Sequence, residues 1–282
     1  MLQLLLIISL FWVTVFYLSA VYILSIKFDL SIFNDPLLFS PSSEGGWLAH
    51  HLLISAVVPG KPAEDSPSRY LTKADRESFT LSTELKEILV GLILGDLNIL
   101  KGKNSTNAGL RFEQSTIHED YLLHLYALFK GYCLSLPKVY TRSPNVKTGK
   151  VYSRVRFITH SLPCFNPFLD LFYPSGLKII PLNIGDLLTP LGLAYLICDD
   201  GSFKKSERAV ILCTDGFTLK EVKLLVEVLT HKFNLKCTIN KEKNGFRVRI
   251  SAKSLLILQN LLKDIMPPMM LHKIGLPSRG PI

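Results

Sequence analysis

Asp96 and Asp200 each close a short apolar run, Leu89-Val90-Gly91-Leu92-Ile93-Leu94-Gly95-Asp96 and Leu193-Ala194-Tyr195-Leu196-Ile197-Cys198-Asp199-Asp200-Gly201. Small residues recur four apart in both, Gly91 with Gly95 and Ala194 with Cys198, and positions i and i+4 share a helix face. Small faces let two helix backbones come close. If the two helices pack through them, their C-terminal ends meet, and so do two acids 104 positions apart in the chain. A carboxylate at a helix C-terminus faces the negative end of the macrodipole, so two that converge there invite a cation. Two carboxylates meeting there could hold a metal ion. Alone, either run reads as a buried helix whose acid marks the exit to solvent. Their duplication is what favours the chemical reading.

No Ser-His-Asp order, Gly-rich phosphate loop or His-rich zinc spacing competes for the role. The five cysteines, Cys133, Cys164, Cys198, Cys213 and Cys237, are widely spaced and form no C-x-x-C pair, which reads as reduced structural thiols. His118, His160, His231 and His272 read as packing or surface residues.

Charge says where the partner binds. The chain of 282 residues carries a net charge of +9, yet residues 1–80 hold 5 Lys and Arg against 7 Asp and Glu. The remaining 27 bases against 16 acids all fall on residues 81–282, the electrostatic footprint of a nucleic-acid binder. Residues 1–26 contain no charge, and the run from Leu2 to Ile26 is long enough to cross a bilayer at about 20 residues per span. It reads either as a transmembrane helix or as a stretch translated from an upstream frame and later removed. We divide the chain into a hydrophobic segment 1–27, a Pro-, Gly- and Ser-rich linker 28–81, and two halves, 82–176 and 177–282.

The halves repeat one order of elements. Ser82-Thr83-Glu84 caps the first key helix, and a strand Gly109–Gln114 follows a polar turn, Lys101–Asn107. A helix spans His118–Tyr132, strands run at Lys138–Thr141 and Val151–Thr159 about a turn containing Pro144–Gly149, and a helix at Pro163–Phe172 closes the unit. The second copy runs from a key helix that starts near Leu188 and ends at Gly201, placed for a positive-φ exit. A basic turn Lys204–Arg208, a strand Ala209–Thr214, a helix Leu219–Phe233, a hairpin Lys236–Lys241 with Phe246–Ile250, and a helix Leu255–Ile265 complete it. The strongest internal match lays Arg154–Leu162 on Arg247–Leu255, 93 residues apart. Residues 82–282 therefore read as an α+β fold of two pseudo-symmetric α-β-β-α-β-β-α units. Strand alternation puts Arg154 with Arg156, and Arg247 with Arg249, on one sheet face. Any one of them alone reads as part of a solvated sheet face, but four on matching strands of two copies suit the DNA major groove, which admits a β-ribbon and where Arg matches guanine edges.

The two acidic runs resemble the motifs of the LAGLIDADG homing endonucleases, in the single-chain, two-motif form encoded in organellar introns. Leu110–Ser115, His118–Tyr121 and Ile179–Gly185 support the resemblance by order and spacing, over about residues 82–282. It implies saddle-shaped antiparallel sheets straddling double-stranded DNA, with the motif helices between them. By motif position it implies Asp96 and Asp200 as catalytic metal ligands, Gly95 and Asp199 as residues whose backbone carbonyls face metal, and Mg²⁺ or Mn²⁺ as cofactor. Glu113, Gln114, Arg249 and Lys253 are placed around the metals, and Arg111, Arg154, Arg156, Lys204, Lys205, Arg247 and Arg249 on DNA. Leu97 stands where the family usually has Gly, and Tyr195 where Gly would be, which bears on helix packing and not on the acids. The expected function is a site-specific, metal-dependent endonuclease acting as a monomer at a long asymmetric site, in a mitochondrion or plastid. The alternatives are an RNA maturase that assists splicing of its host intron and a catalytically inactive DNA-binding protein. Membrane association through residues 2–26 is a further expectation.

Overall fold

Ser82 and Thr189 begin the two helices on which the molecule is built. In the computed structural model, which describes residues 70–144 and 148–278, Ser82 Oγ accepts from Leu85 N at 3.2 Å and starts α2, Thr83–Leu94. Thr189 Oγ1 accepts from Gly192 N at 3.2 Å and, with Pro190 in the first turn, starts α6, Pro190–Asp200. A side-chain oxygen on an otherwise unpaired N–H is what an N-cap contributes, and Pro costs nothing in the first turn. The Thr189 hydroxyl also donates to Glu87 Oε2 at 2.7 Å, which ties the start of α6 to α2. The hydrophobic segment 1–27, the linker up to residue 69 and part of the Pro144–Gly149 turn lie outside the described residues. A short helix α1, Lys73–Ser78, closed by a Thr72–Asp75 capping box, precedes α2. Arg76 Nη1 fixes it by donating to Ser161 O at 3.0 Å.

The helices pack at glycine. A Cβ on Gly91 would overlap the Gly192 carbonyl, and one on Gly192 would lie 3.0 Å from Glu87 O. The approach is thus made at Gly192, two residues before the Ala194–Cys198 face that spacing had suggested. Tyr195, buried, points toward α3 and leaves this approach open.

Two four-stranded antiparallel sheets flank the pair. β1 Asn98–Leu100, β2 Gly109–Ser115, β3 Lys138–Thr141 and β4 Ser153–Ile158 form the first, in the order β1-β2-β4-β3. β5 Gly201–Lys204, β6 Ala209–Cys213, β7 Cys237–Glu242 and β8 Gly245–Ile250 form the second, in the order β5-β6-β8-β7. Helices α3, Glu119–Phe129, and α7, Leu219–Phe233, cover one face of each sheet, and α4, Asn166–Phe172, and α8, Leu255–Leu262, close the halves, with α5, Ile184–Leu187, between them. The α+β, twice-repeated architecture is as expected. Phe112 and Phe157 stack at 4.4 Å and Phe112 meets Phe129 of α3 at 5.0 Å, so the first sheet buries one face. Strand alternation turns the other face, with the arginines, outward.

Two expectations are corrected. Gly201 has φ −80° and ψ 147°, not a positive φ, because α6 runs straight into β5. Glycine is needed there for room, since a Cβ would overlap Ile197 O. The repeat register also shifts: Asn98 pairs Arg111 and Arg111 pairs Ile158, while Ser202 pairs Ile211 and Ile211 pairs Arg249. Taking the two acids as equivalent, Arg156 matches Arg247, so the sequence match of Arg154–Leu162 with Arg247–Leu255 lies two positions off the structural one. A slip of two keeps every side chain on its face, which is why the arginine pattern survives it.

Candidate functional site

Asp96 follows the C-cap of α2, and Asp200 is the last residue of α6. The acids stand at the paired helix ends. Asp96 is exposed, and its Oδ2 accepts from Gln114 Nε2 at 3.3 Å. Its backbone N–H donates across to Asp199 Oδ2 at 3.1 Å, and the other Asp199 oxygen accepts from Tyr121 OH at 2.9 Å. One carboxylate of the second half thus caps the exit of the first helix. Gly95 leaves it room, since a Cβ there would sit 2.6 Å from Asp199 Cβ.

Electrostatics sharpens the arrangement. Burial, and then the neighbouring Asp96 charge, raises the Asp199 carboxyl well above the usual range. The same two causes push Asp200 up to about 7, against the pull of Lys178 and Lys273. Both lysines donate to main-chain carbonyls at the helix exits: Lys178 Nζ to Gly95 O at 2.6 Å and Leu97 O at 3.3 Å, Lys273 Nζ to Gly201 O at 2.8 Å. Leu97 and Gly201 are the residues just after each acid, so the lysines are equivalent in the two halves. Burial lowers the pKa of Lys178 while Asp200, Asp96 and Asp199 oppose that shift. Carboxylates crowded until one resists ionisation are a set that a divalent cation would relieve.

The donor set suits a hard ion. Among the described residues no group of three or more His, Cys, Asp and Glu side chains is arranged as a metal cluster. Two carboxylates with waters and substrate phosphate oxygens, however, are how Mg²⁺ is usually held. The Asp199 side chain has both oxygens engaged, and the Gly95 carbonyl already accepts from Lys178.

The other expected residues fall in several places. Gln114 lies at Asp96. Glu113 accepts from Arg154 Nη1 at 2.5 Å and lies 3.8 Å from Arg156 Nη1, whose guanidinium sits 4.1 Å over the Tyr140 ring. Arg111, Arg154, Glu113 and Gln114 line a cavity of about 290 Å³ beside Asp96, with Asn98 and Ser115. Arg249 pairs with Glu207 at 3.0 Å and Arg247 with Asp215 at 3.3 Å. Lys204 and Lys205 are exposed at the end of β5, and Lys253 is exposed on the 3₁₀ turn Ala252–Ser254. Tyr195 OH and His124 Nε2 are 2.8 Å apart, which joins α6 to α3.

Sequence reading missed Lys178, Lys273, Tyr121 and the acidic partners Glu207 and Asp215. A signal for the lysines exists in Lys178-Ile179-Ile180-Pro181 and Lys273-Ile274-Gly275-Leu276-Pro277, one stretch after each of the closing helices α4 and α8. The others depend on packing between halves or across strands.

Comparison with known proteins gives a consistent picture. The family described as LAGLIDADG DNA endonuclease matches residues 86–258. The chain is 34% identical over 200 residues to the cytochrome b mRNA maturase bI2 of Debaryomyces hansenii, covering 69% of this chain and 75% of that one. It is 30% identical over 213 residues to a probable intron-encoded endonuclease of Wickerhamomyces canadensis, covering 73% and 90%. Among solved structures, the homing endonuclease I-WcaI bound to its DNA recognition sequence superposes with a TM-score of 0.69 at 30% identity, over 76% of this chain and 96% of that one.

Proposed function

We propose that this chain, which belongs to the LAGLIDADG DNA endonuclease family, is a site-specific endonuclease that hydrolyses both strands of a long asymmetric duplex with the help of divalent metal. The observation that carries the reading is the convergence of Asp96 and Asp200 at two glycine-packed helix ends, each end held by a lysine. Asp96 and Asp200 would hold Mg²⁺ or Mn²⁺, with the backbone carbonyl of Asp199 as a further candidate ligand. The ion would supply an activated water and neutralise charge on the attacking and leaving oxygens. Gln114 holds the orientation of the Asp96 carboxylate. Asp199 and Tyr121 act through Asp96, by fixing the backbone that carries it. Lys178 and Lys273 place fixed positive charge beside the acids, where the phosphate gains negative charge in the transition state.

Arg111, Arg154, Arg156, Lys204, Lys205, Arg247 and Arg249 are proposed to meet the duplex through the outward sheet faces. Arg111 and Arg154 lie next to Asp96 in the same cavity. The halves 82–176 and 177–282 act together in one chain, as a monomer, on the two halves of the site. Intron homing in a mitochondrion or plastid is the biological setting we propose, because a similar protein is named as intron-encoded.

The similarity to a maturase favours a second reading, in which the same fold assists splicing of an intron RNA. Incubating the full chain with a library of long duplexes, with and without Mg²⁺, separates the two. We expect metal-dependent cuts at one defined position per strand. A chain that cuts no duplex with any divalent metal yet promotes splicing of an intron RNA is a maturase and not a nuclease.

A further inference from the structure

All four arginines on the outward faces of β4 and β8 are held by acids. Glu113 bridges Arg154 and Arg156, Asp215 accepts from Arg247 through Nε at 3.5 Å and Nη2 at 3.3 Å, and Glu207 accepts from Arg249 Nε at 3.0 Å. The hydrogen bond from Arg247 holds the Asp215 carboxyl below the usual carboxylate range. The side chains are one-quarter to one-half exposed, from 26% at Glu113 and Arg249 to 44% at Glu207. Ion pairs so open to water add little to folding, so their contribution to the fold does not explain why these arginines are paired and not free. Three carboxylates beside four guanidiniums also cancel most of the charge that would grip any phosphate backbone, which works against sequence-independent affinity.

The pairing fits one kind of base pair. In the major groove a G·C pair presents two adjacent acceptors, guanine N7 and O6, followed by one donor, cytosine N4. An A·T pair presents acceptor, donor, acceptor and then a methyl group. An arginine fork needs two neighbouring acceptors, and a carboxylate beside it needs the donor that comes next. Arg249 spends only Nε on Glu207, so both of its Nη groups remain for a guanine edge. Arg154 is held through Nη1 and keeps Nε and Nη2.

We propose that Glu113, Glu207 and Asp215 are specificity-determining residues, each turning the arginine beside it into a reader of a whole G·C base pair. The proposal rests on the DNA-endonuclease reading above. The acid aims the guanidinium, lowers its hold on phosphate, and accepts from the cytosine amino group of the pair whose guanine the arginine reads. The first half carries one such acid and the second half carries two. The recognised site therefore has G·C pairs under Arg249 and Arg247 on one side and under Arg154 or Arg156 on the other.

The test is a binding selection with the full chain on a pool of duplexes of random central sequence, in EDTA so that nothing is cut, with the bound fraction sequenced. Glu207→Ala should lower the preference for G·C at one base pair by about tenfold, as expected for losing one good base contact. It should also raise affinity for unselected duplex. Glu207→Gln should shift that same base pair toward A·T, because an amide matches the donor and acceptor of adenine. Thermal unfolding of both variants should match the parent, which excludes a folding cause. If both variants select the parent's sequence at every position, the acids only tune charge and the proposal is overturned. If the parent enriches no sequence from the pool, the endonuclease reading fails first, and this one with it.

Discussion

The two halves share a strand order and a helix-ending acid, yet they surround that acid differently. In the first, Asp96 is exposed, accepts from Gln114, and opens onto a cavity lined by Arg111, Glu113 and Arg154. In the second, Asp200 is pushed up to about 7 by burial and by Asp96. The central strands differ as well: the sheet face that carries the accessible Arg111, Glu113 and Ser115 on β2 carries the buried Ala209 and Ile211 and the half-buried Cys213 on β6. A fold can repeat while its surface chemistry diverges, because backbone pairing and core packing restrict one face of each strand and leave the other free. Unequal faces suit an asymmetric site, since Arg111 offers donors to a base edge where the buried Ile211 at the matching position offers none.

The largest effect should come where the halves are joined. Gly192→Val places a branched side chain between α6 and the Glu87 carbonyl, and overpacking a tight contact costs about 1–3 kcal/mol or more. Thermal unfolding should show one transition at lower temperature with both halves lost together. Two separate transitions would mean that they fold independently.

Next come the lysines, which test whether the halves are equal in catalysis. Lys178→Met and Lys273→Met should each lower the cleavage rate by about a hundredfold, the scale of losing one electrostatic stabiliser. Measured strand by strand, a mutant that slows only one strand assigns each lysine to its own half, and equal slowing of both makes the cluster shared.

A smaller effect is expected at the clamp between halves. Tyr121→Phe removes one hydrogen bond to Asp199, worth about 1 kcal/mol. Cleavage should fall several-fold through Asp96 while duplex affinity stays the same. An unchanged rate on both strands would show that Asp199 needs no second donor.

Much of this was legible in the chain, for physical reasons. The apolar runs ending in Asp96 and Asp200, the strand Ser153–Ile158 and the amphipathic α7 are local patterns, in which side-chain period decides the element. Long-range features were not legible. Repeated Arg-Val-Arg drew the two copies into a register two residues off, since only strand pairing fixes which residues face each other. Gly192, two residues before the expected small face, makes the helix approach that spacing alone assigns to Ala194 and Cys198. Lys178 and Lys273 follow the closing helix of each half and reach the acids only after the chain has turned back. The arginines were readable as a face, but the acids holding them come from other strands and turns.

The central claim is that Asp96 and Asp200 form one metal-dependent cutting site while the sheets hold the DNA. It is tested most directly by following cleavage of each strand of the selected duplex by the full chain, with Mg²⁺, for the parent, Asp96→Asn and Asp200→Asn. Asn keeps the size of the side chain and removes its charge. Either change should cut hydrolysis of both strands by orders of magnitude and leave duplex affinity equal or higher, as repulsion toward phosphate is lost. Mutants that cut as well as the parent would contradict the paired-carboxylate mechanism.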